Sequence, residues 1–357
     1  MKTKSLLLTV LFILISVISC DEPETVVTNY VHKDGSVTRE IVMRSSKKSF
    51  NVSDIQVPFD STWYVSDSVE LSEKGDTTWV KRASKTFANC DEINLAYQND
   101  SGINRSVGRE TQFKKSFRWF NNVYRFSESV DKTLSFGYPL KDFLSPEELL
   151  FFYTPWSEQE ARKNGPDSLK FRAISDTISH KTDLWMIKSL ISEWIYEFSG
   201  LAAGMEGIDI AVDSLRKNED EIVSLVSEFE NNFDSLWSSG AVLDPFIGEN
   251  GYRKYKTEAD SAMKIVTEYI MPDFSSYTVR ISMPGVLTGS NGFTDSTDVL
   301  LWPVSSDYFF TEPYVMWAES KIPNIWAWVV SALFLLFVIA GVVIRGIKKE
   351  RPNHQPS

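Results

Sequence analysis

The chain has 357 residues, a net charge of −11, 43% hydrophobic and 13% aromatic residues, and two cysteines. That apolar content can build a sizeable core and excludes a largely disordered chain, while the acidity excludes nucleic acid as a preferred partner. Two cysteines exclude a disulfide framework.

At the N-terminus, Lys2 and Lys4 precede the apolar run Leu6–Ile15, the basic and hydrophobic regions of an export signal over residues 1–19. The run is short for a bilayer span. It leads to Val17-Ile18-Ser19-Cys20 rather than to a small-x-small cleavage site. This tetrad resembles a bacterial lipobox, which implies cleavage before Cys20 and acyl chains such as palmitate on its sulfur-linked diacylglycerol. Asp21 follows, the residue that accompanies inner-membrane retention in enterobacterial lipoproteins. With Cys20 acylated, Cys90 has no intrachain partner and reads as a buried thiol.

Residues 20–142 read as β. Thr25–Val31 and Val37–Met43 flank Asp34-Gly35, a hairpin signal. Strands are expected at Thr62–Leu71 and Thr77–Phe87 around Lys74-Gly75-Asp76, and a long one over Glu110–Ser127. There Phe113, Phe117 and Trp119 alternate with Lys114, Ser116 and Arg118, and the phase slips at Asn121-Asn122 to Tyr124 and Phe126, which marks a bulge or tight turn. With Lys115, Phe120 and Arg125, this stretch imitates a nucleic-acid stacking surface. In an acidic exported domain, the better reading is a half-buried strand with aromatics inward and charges in solvent.

Residues 143–273 change to a helical period. Ser145-Pro146-Glu147-Glu148 is a helix start. Helices are expected over Thr182–Ser199, over Leu215–Leu236 as one element ending at Gly240, and from Tyr255 to Ile270 before Pro272. Their apolar faces call for a small antiparallel bundle.

Residues 274–324 return to β, with Tyr277–Met283 before Pro284-Gly285, a turn at Asn291-Gly292, and strands at Val299–Trp302 and Tyr314–Ala318. The expected fold class is therefore α+β: an antiparallel β domain made by the N- and C-terminal segments, with an inserted helical bundle. Residues 325–344, Ile325 to Ile344, are twenty uncharged positions that would reach about 30 Å as a helix, the thickness of a hydrocarbon core. Trp326 and Trp328 mark one interface; Arg345, Lys348, Lys349 and Arg351 follow the other. By the positive-inside bias, residues 345–357 form a cytoplasmic tail and the upstream domain is periplasmic at the inner membrane. Setting aside Lys2, Lys4 and the basic tail leaves −16 over residues 20–324.

A strand ending in Met283-Pro284-Gly285, the turn at Asn291-Gly292, Leu301-Trp302, and a last strand Val315–Ser320 running into a membrane helix resemble the LppM type of lipoprotein domain. The similarity covers Tyr277–Arg351 and the lipobox. It implies a lipobox combined with a C-terminal membrane helix and brings no catalytic residue.

No catalytic, cofactor-binding or metal residues are assigned. His32, His180 and His354 are scattered. Gly200–Gly207 lacks the Lys-Ser/Thr of a phosphate loop, Gly289–Gly292 is a turn, and Asn218–Glu221 is a solvated helix face. Cys20 is the one assigned site, for lipid attachment. The expected function is a non-enzymatic envelope lipoprotein, a periplasmic scaffold or interaction domain. Its partners are the membrane, through an acyl anchor and one transmembrane helix, and another envelope protein, not nucleic acid. A lipid-, glycan- or peptide-binding module and an envelope hydrolase are the alternatives.

Overall fold

Alternating apolar and polar residues make strands close to where the period-two pattern puts them. The computed structural model describes residues 23–48, 57–71, 77–100, 107–155, 159, 168–228, 233–270, 274–295 and 299–349. Strands β1 (Glu24–Val31) and β2 (Val37–Ser45) form the first antiparallel pair, and Gly35 in their turn takes a φ of 95°. β3 (Tyr64–Leu71) and β4 (Thr77–Phe87) extend the sheet.

Helix α1 (Cys90–Asn99) follows, an element the β reading of this region passed over. Its start is capped on both sides: Asn89 Oδ1 accepts from the Glu92 amide at 3.1 Å, and the Glu92 carboxylate accepts from the Ala88 amide at 2.8 Å.

The single strand expected over Glu110–Ser127 is a hairpin, β5 (Arg109–Arg118) and β6 (Asn121–Val130). Arg118 pairs with Asn121, so the phase slip is a two-residue turn made of Trp119 and Phe120.

The helices lie between β6 and β7 in sequence. α2 (Pro146–Phe152) begins with the reciprocal Ser145–Glu148 capping box. α3 (Ser168–Leu201) is longer than the expected Thr182–Ser199 at both ends. The single helix expected to reach Gly240 is three: α4 (Ile208–Lys217), α5 (Glu219–Glu228) and α6 (Phe233–Ser239). The break at Asn218 has a local cause. Its side-chain amide donates to the Ser214 carbonyl at 2.8 Å, closing α4, and Glu219, Asp220 and Glu221 then suit the positive N-terminus of α5. α7 (Lys256–Glu268) completes the group. Trp194, Phe198, Leu215, Ala259 and Ala262 share one buried cluster.

The chain then returns as β7 (Tyr277–Ser282), β8 (Val286–Ser290), β9 (Phe293–Thr294), β10 (Leu300–Val304) and β11 (Tyr314–Pro323), followed by α8 (Ile325–Lys349). The result is a mixed α+β fold with two sheets, of order β3-β4-β2-β1-β7-β10-β9 and β5-β6-β11-β8. Val27, Ile41, Phe126, Trp302 and Met316 from both sheets, with Ile93 of α1, pack in one core.

One expectation needs correction. The larger sheet is not purely antiparallel, because β1 and β7 pair parallel from Val26 with Thr278 to Tyr30 with Ser282. A long intervening segment allows it, since a parallel pair needs a crossover that brings the chain back to the same end. The packing of the two sheets also places the start of β1. The Tyr277 hydroxyl, at the start of β7, accepts from the Arg109 guanidinium, which lies at the end of the four-stranded sheet where Arg109, Val130 and Tyr314 pair in register. β1 starts at that end, and β11 leaves the sheet at the other, into α8. The first and last strands thus lie in the same body, but the start of β1 is remote from the apolar helix rather than beside it.

The helices attach at the end where β1 starts. Trp185 of α3 meets Phe310 edge-on at 5.6 Å, and the buried Ser189 and Glu193 accept the amides of Tyr138 and Phe136 at 3.1 and 2.7 Å. These bonds explain two polar residues on an otherwise apolar helix face.

Candidate functional site

The fold brings unusual chemistry together in two places: a charged cluster inside the core and an aromatic collar where β11 becomes α8.

In the core, Arg39 of β2 is 1% exposed and pairs with Glu128 of β6 at 2.7 Å. Its Nε donates to Asn29 Oδ1 and its Nη1 to the Tyr97 hydroxyl, both at 2.8 Å; Tyr97 in turn donates to Glu128 at 3.1 Å. Burial alone would lower the Arg39 pKa, but the facing Glu128 carboxylate reverses that and holds it above the ordinary value. Burial also pushes the Tyr97 hydroxyl up. Arg109 lies between the rings of Tyr97 and Tyr277, 5.0 and 5.7 Å from their centroids, and donates to the Tyr277 hydroxyl. Its Nε and Nη2 have no hydrogen-bond partner among the described residues. The cluster joins β1, β2, α1, β5, β6 and β7 at the centre of the core. Buried in this way, the Arg39–Glu128 pair ties β2 to β6 across the core, and removing either partner would leave the other as a lone buried charge.

At the other place, one residue organises a junction. Asn324, 5% exposed, donates its side-chain amide to the Arg118 and Trp119 carbonyls at 2.8 and 3.2 Å. Its Oδ1 accepts from Asn122 at 2.6 Å, and its backbone amide donates to the Phe120 carbonyl at 2.8 Å. The Asn324 carbonyl accepts from Ala327, starting α8. Both polar ends of one asparagine thus bind the β5–β6 turn to the first turn of the helix, a task aspartate could not perform for want of a donor.

Aromatic rings close around this joint. Phe117 stacks on Trp326 at 6.4 Å, Trp119 meets Trp326 edge-on at 5.2 Å, and Phe120 lies 4.4 Å from Trp328. The Trp119 indole donates to Ser331 Oγ at 3.0 Å. Phe126 and Tyr124 are buried as expected, but Phe117 and Trp119 are 62% and 48% exposed and do not point into the core. The core ends above them, and the helix supplies the apolar surface they contact. Lys114, Lys115 and Arg118 are exposed on β5, with Lys321 exposed on β11.

Residues Ile325–Gly346 of α8 are long and apolar enough to cross a membrane, and little of their surface is covered by protein. The expected Ile325–Ile344 segment is thus a continuous helix. Cys20, the expected export signal over residues 1–19 and the residues from Glu350 onward lie outside the described residues.

Other sequence candidates are placed plainly. His32 is 3.0 Å from Thr38 in the β1–β2 turn, His180 is on α3, and His354 lies outside the described residues. Among the described residues no group of three His, Cys, Asp or Glu side chains could hold a metal. In the Asn218–Glu221 stretch, Glu219 accepts from the Tyr138 hydroxyl and Asp220 pairs with Lys188. Asn291, in the Gly289–Gly292 turn, accepts from the Trp302 indole and the Trp317 amide. Cys90 is free and buried, and burial raises its thiol to about 11. The Asn324 joint escaped sequence reading, although the Trp119-Phe120 pair at a phase slip was its visible trace.

Comparison with known proteins finds no matching family model, no matching curated protein and no matching solved structure.

Proposed function

We propose that this chain is an envelope lipoprotein that works as a non-enzymatic scaffold at the periplasmic face of the inner membrane. In this reading residues 20–142 and 274–324 form the β body, residues 143–273 a helical insertion, residues 325–344 the membrane span, and residues 345–357 a cytoplasmic tail, with Cys20 acylated. The observation that carries it is the Asn324 joint. A folded body is bonded directly to an apolar helix instead of hanging from a linker, so the helix dictates how the body is presented. An enzyme working on soluble substrate gains nothing from that rigidity, whereas a platform for a neighbouring membrane protein depends on it.

The geometry also constrains the acyl anchor. β1 starts at the end of the sheets from which β11 sets out, so Glu24 and Pro323 are separated by about 30 Å along a ten-residue strand. The four residues from Cys20 to Glu24 can extend about 14 Å at most. With both anchors in one bilayer, the body therefore leans over the membrane, its strands inclined to the surface, and the rigid joint makes helix and body tilt together under the pull of the lipid.

The test is affinity purification of the detergent-solubilised full-length protein after crosslinking in cells. The expected result is a stoichiometric integral membrane protein. Recovery of the chain alone, with a bound lipid or glycan, or turnover of envelope polymer by the purified protein, would overturn the scaffold reading.

A further inference from the structure

The β5–β6 turn is made of residues a turn does not want. Two-residue hairpin turns favour Asn-Gly or Asp-Gly because their backbone needs positive φ. Here the positions hold Trp119 and Phe120, and among the described non-glycine residues positive φ occurs at Asn250, not at either of them. A local preference broken without a gain to the core marks a site selected for something else.

What the pair gains is contact with α8. The Trp119 indole bonds Ser331, six residues beyond Ile325, which lies about 9 Å along the helix. Ser331 is the one side-chain hydroxyl between Ile325 and Ile344, in a stretch whose surface is otherwise apolar. A Trp N–H lowered into hydrocarbon needs a partner there, and Ser331 supplies it. Phe117, Trp119, Phe120, Trp326 and Trp328 then form one exposed aromatic patch, continuous with the apolar flank of α8. Arg118 and Lys321 border it on the side of the sheets, as basic residues border a membrane interface. This basic edge stands out on a body whose net charge is strongly negative.

We infer that the Trp119-Phe120 turn is a second membrane-inserted element, sunk into the lipid beside α8, with Arg118 and Lys321 at the phosphate level. The occupant of the aromatic patch is thus lipid. The inference rests on α8 spanning the membrane, and its test separates the two.

Single cysteines at Phe117, Phe120, Leu333 and Glu228 of the full-length protein would carry a nitroxide label, Cys90 being buried. After reconstitution in vesicles of phosphatidylethanolamine and phosphatidylglycerol, collision of each label with oxygen and with a water-soluble nickel chelate is compared. The labels at positions 117 and 120 should match the one at 333: high oxygen and several-fold lower nickel accessibility than at 228. If 333 is lipid-like while 117 and 120 resemble 228, the turn lies in water and the inference fails while the span survives. If 117 and 120 are shielded from both reagents, protein covers the patch and the inference also fails. Nickel access at 333 would remove the span itself, and the inference with it.

Discussion

Asn324 carries the junction between the β5–β6 turn and the first turn of α8. Replacing it with alanine leaves the Arg118 and Trp119 carbonyls and the Asn122 amide without their partner. Each buried polar group so orphaned costs about 1–3 kcal/mol. Asn324→Ala should therefore lower the thermal midpoint in detergent and open a protease site at the joint. An unchanged midpoint with no new cleavage would deny the residue its role. Glu128 is the corresponding residue of the core. Glu128→Gln leaves the Arg39 guanidinium buried beside a neutral group, which should cost about 3–5 kcal/mol in chemical unfolding. Replacing the pair together by Leu and Met should cost less, because no lone charge remains. Cys90 gives a chemical check on the same core. With its thiol raised to about 11 by burial, the thiolate is scarce at pH 8, so native protein should react with maleimide far more slowly than unfolded protein. Labelling as fast as that of a free thiol would contradict the burial.

At the scale of elements, two turns govern how the sheets meet the helix. Gly285, between β7 and β8, has a φ of 89°, and a Cβ there would lie 2.5 Å from the Lys321 carbonyl of β11. Gly285→Ala should thus destabilise the protein by more than the ~1 kcal/mol of an ordinary loop substitution, read from the denaturation midpoint. A neutral result would mean that the β7–β8 turn is free to move off β11. The Trp119-Phe120 turn should respond in the opposite way. Changing it to Asn-Gly supplies the preferred hairpin residues. The sheets should persist, with an unchanged circular dichroism spectrum, while the first turns of α8 lose their aromatic contacts and are cut faster near Pro323. Loss of the β signal would assign the pair a role in folding instead.

For the molecule as a whole, attachment and orientation separate. A helix such as α8 suffices to hold the chain in a membrane, and an acyl chain adds little to that. Cys20→Ser should therefore leave the protein in the membrane fraction. It should also raise the end of the body where β1 starts, so that a label at Glu24 moves further from the bilayer. A soluble Cys20→Ser protein would sink the two-anchor arrangement.

How much of this was written along the chain follows from the range of each interaction. Periodicity and punctuation are local, so the strands from Glu24 to Ser45, the Ser145 capping box and the apolar run from Ile325 could be read from neighbours within a few positions. Signals confined to one turn were also present where they were missed: Asn89 with Glu92 announced α1, and Asn218 before three acids announced the break between α4 and α5. The tertiary structure alone decided the rest. Nothing in the sequence near Arg39 points to Glu128, 89 positions away, nor does Trp119 point to Ser331, 212 positions away. The parallel union of β1 with β7 is invisible for the same reason, since alternation fixes which face of a strand is buried but not which neighbour lies beside it or in which direction it runs. Local pattern thus determined most of the elements and the apolar run of α8, whereas the ion pair, the Asn324 joint and the distance of the start of β1 from α8 arose only when distant segments closed on a common core.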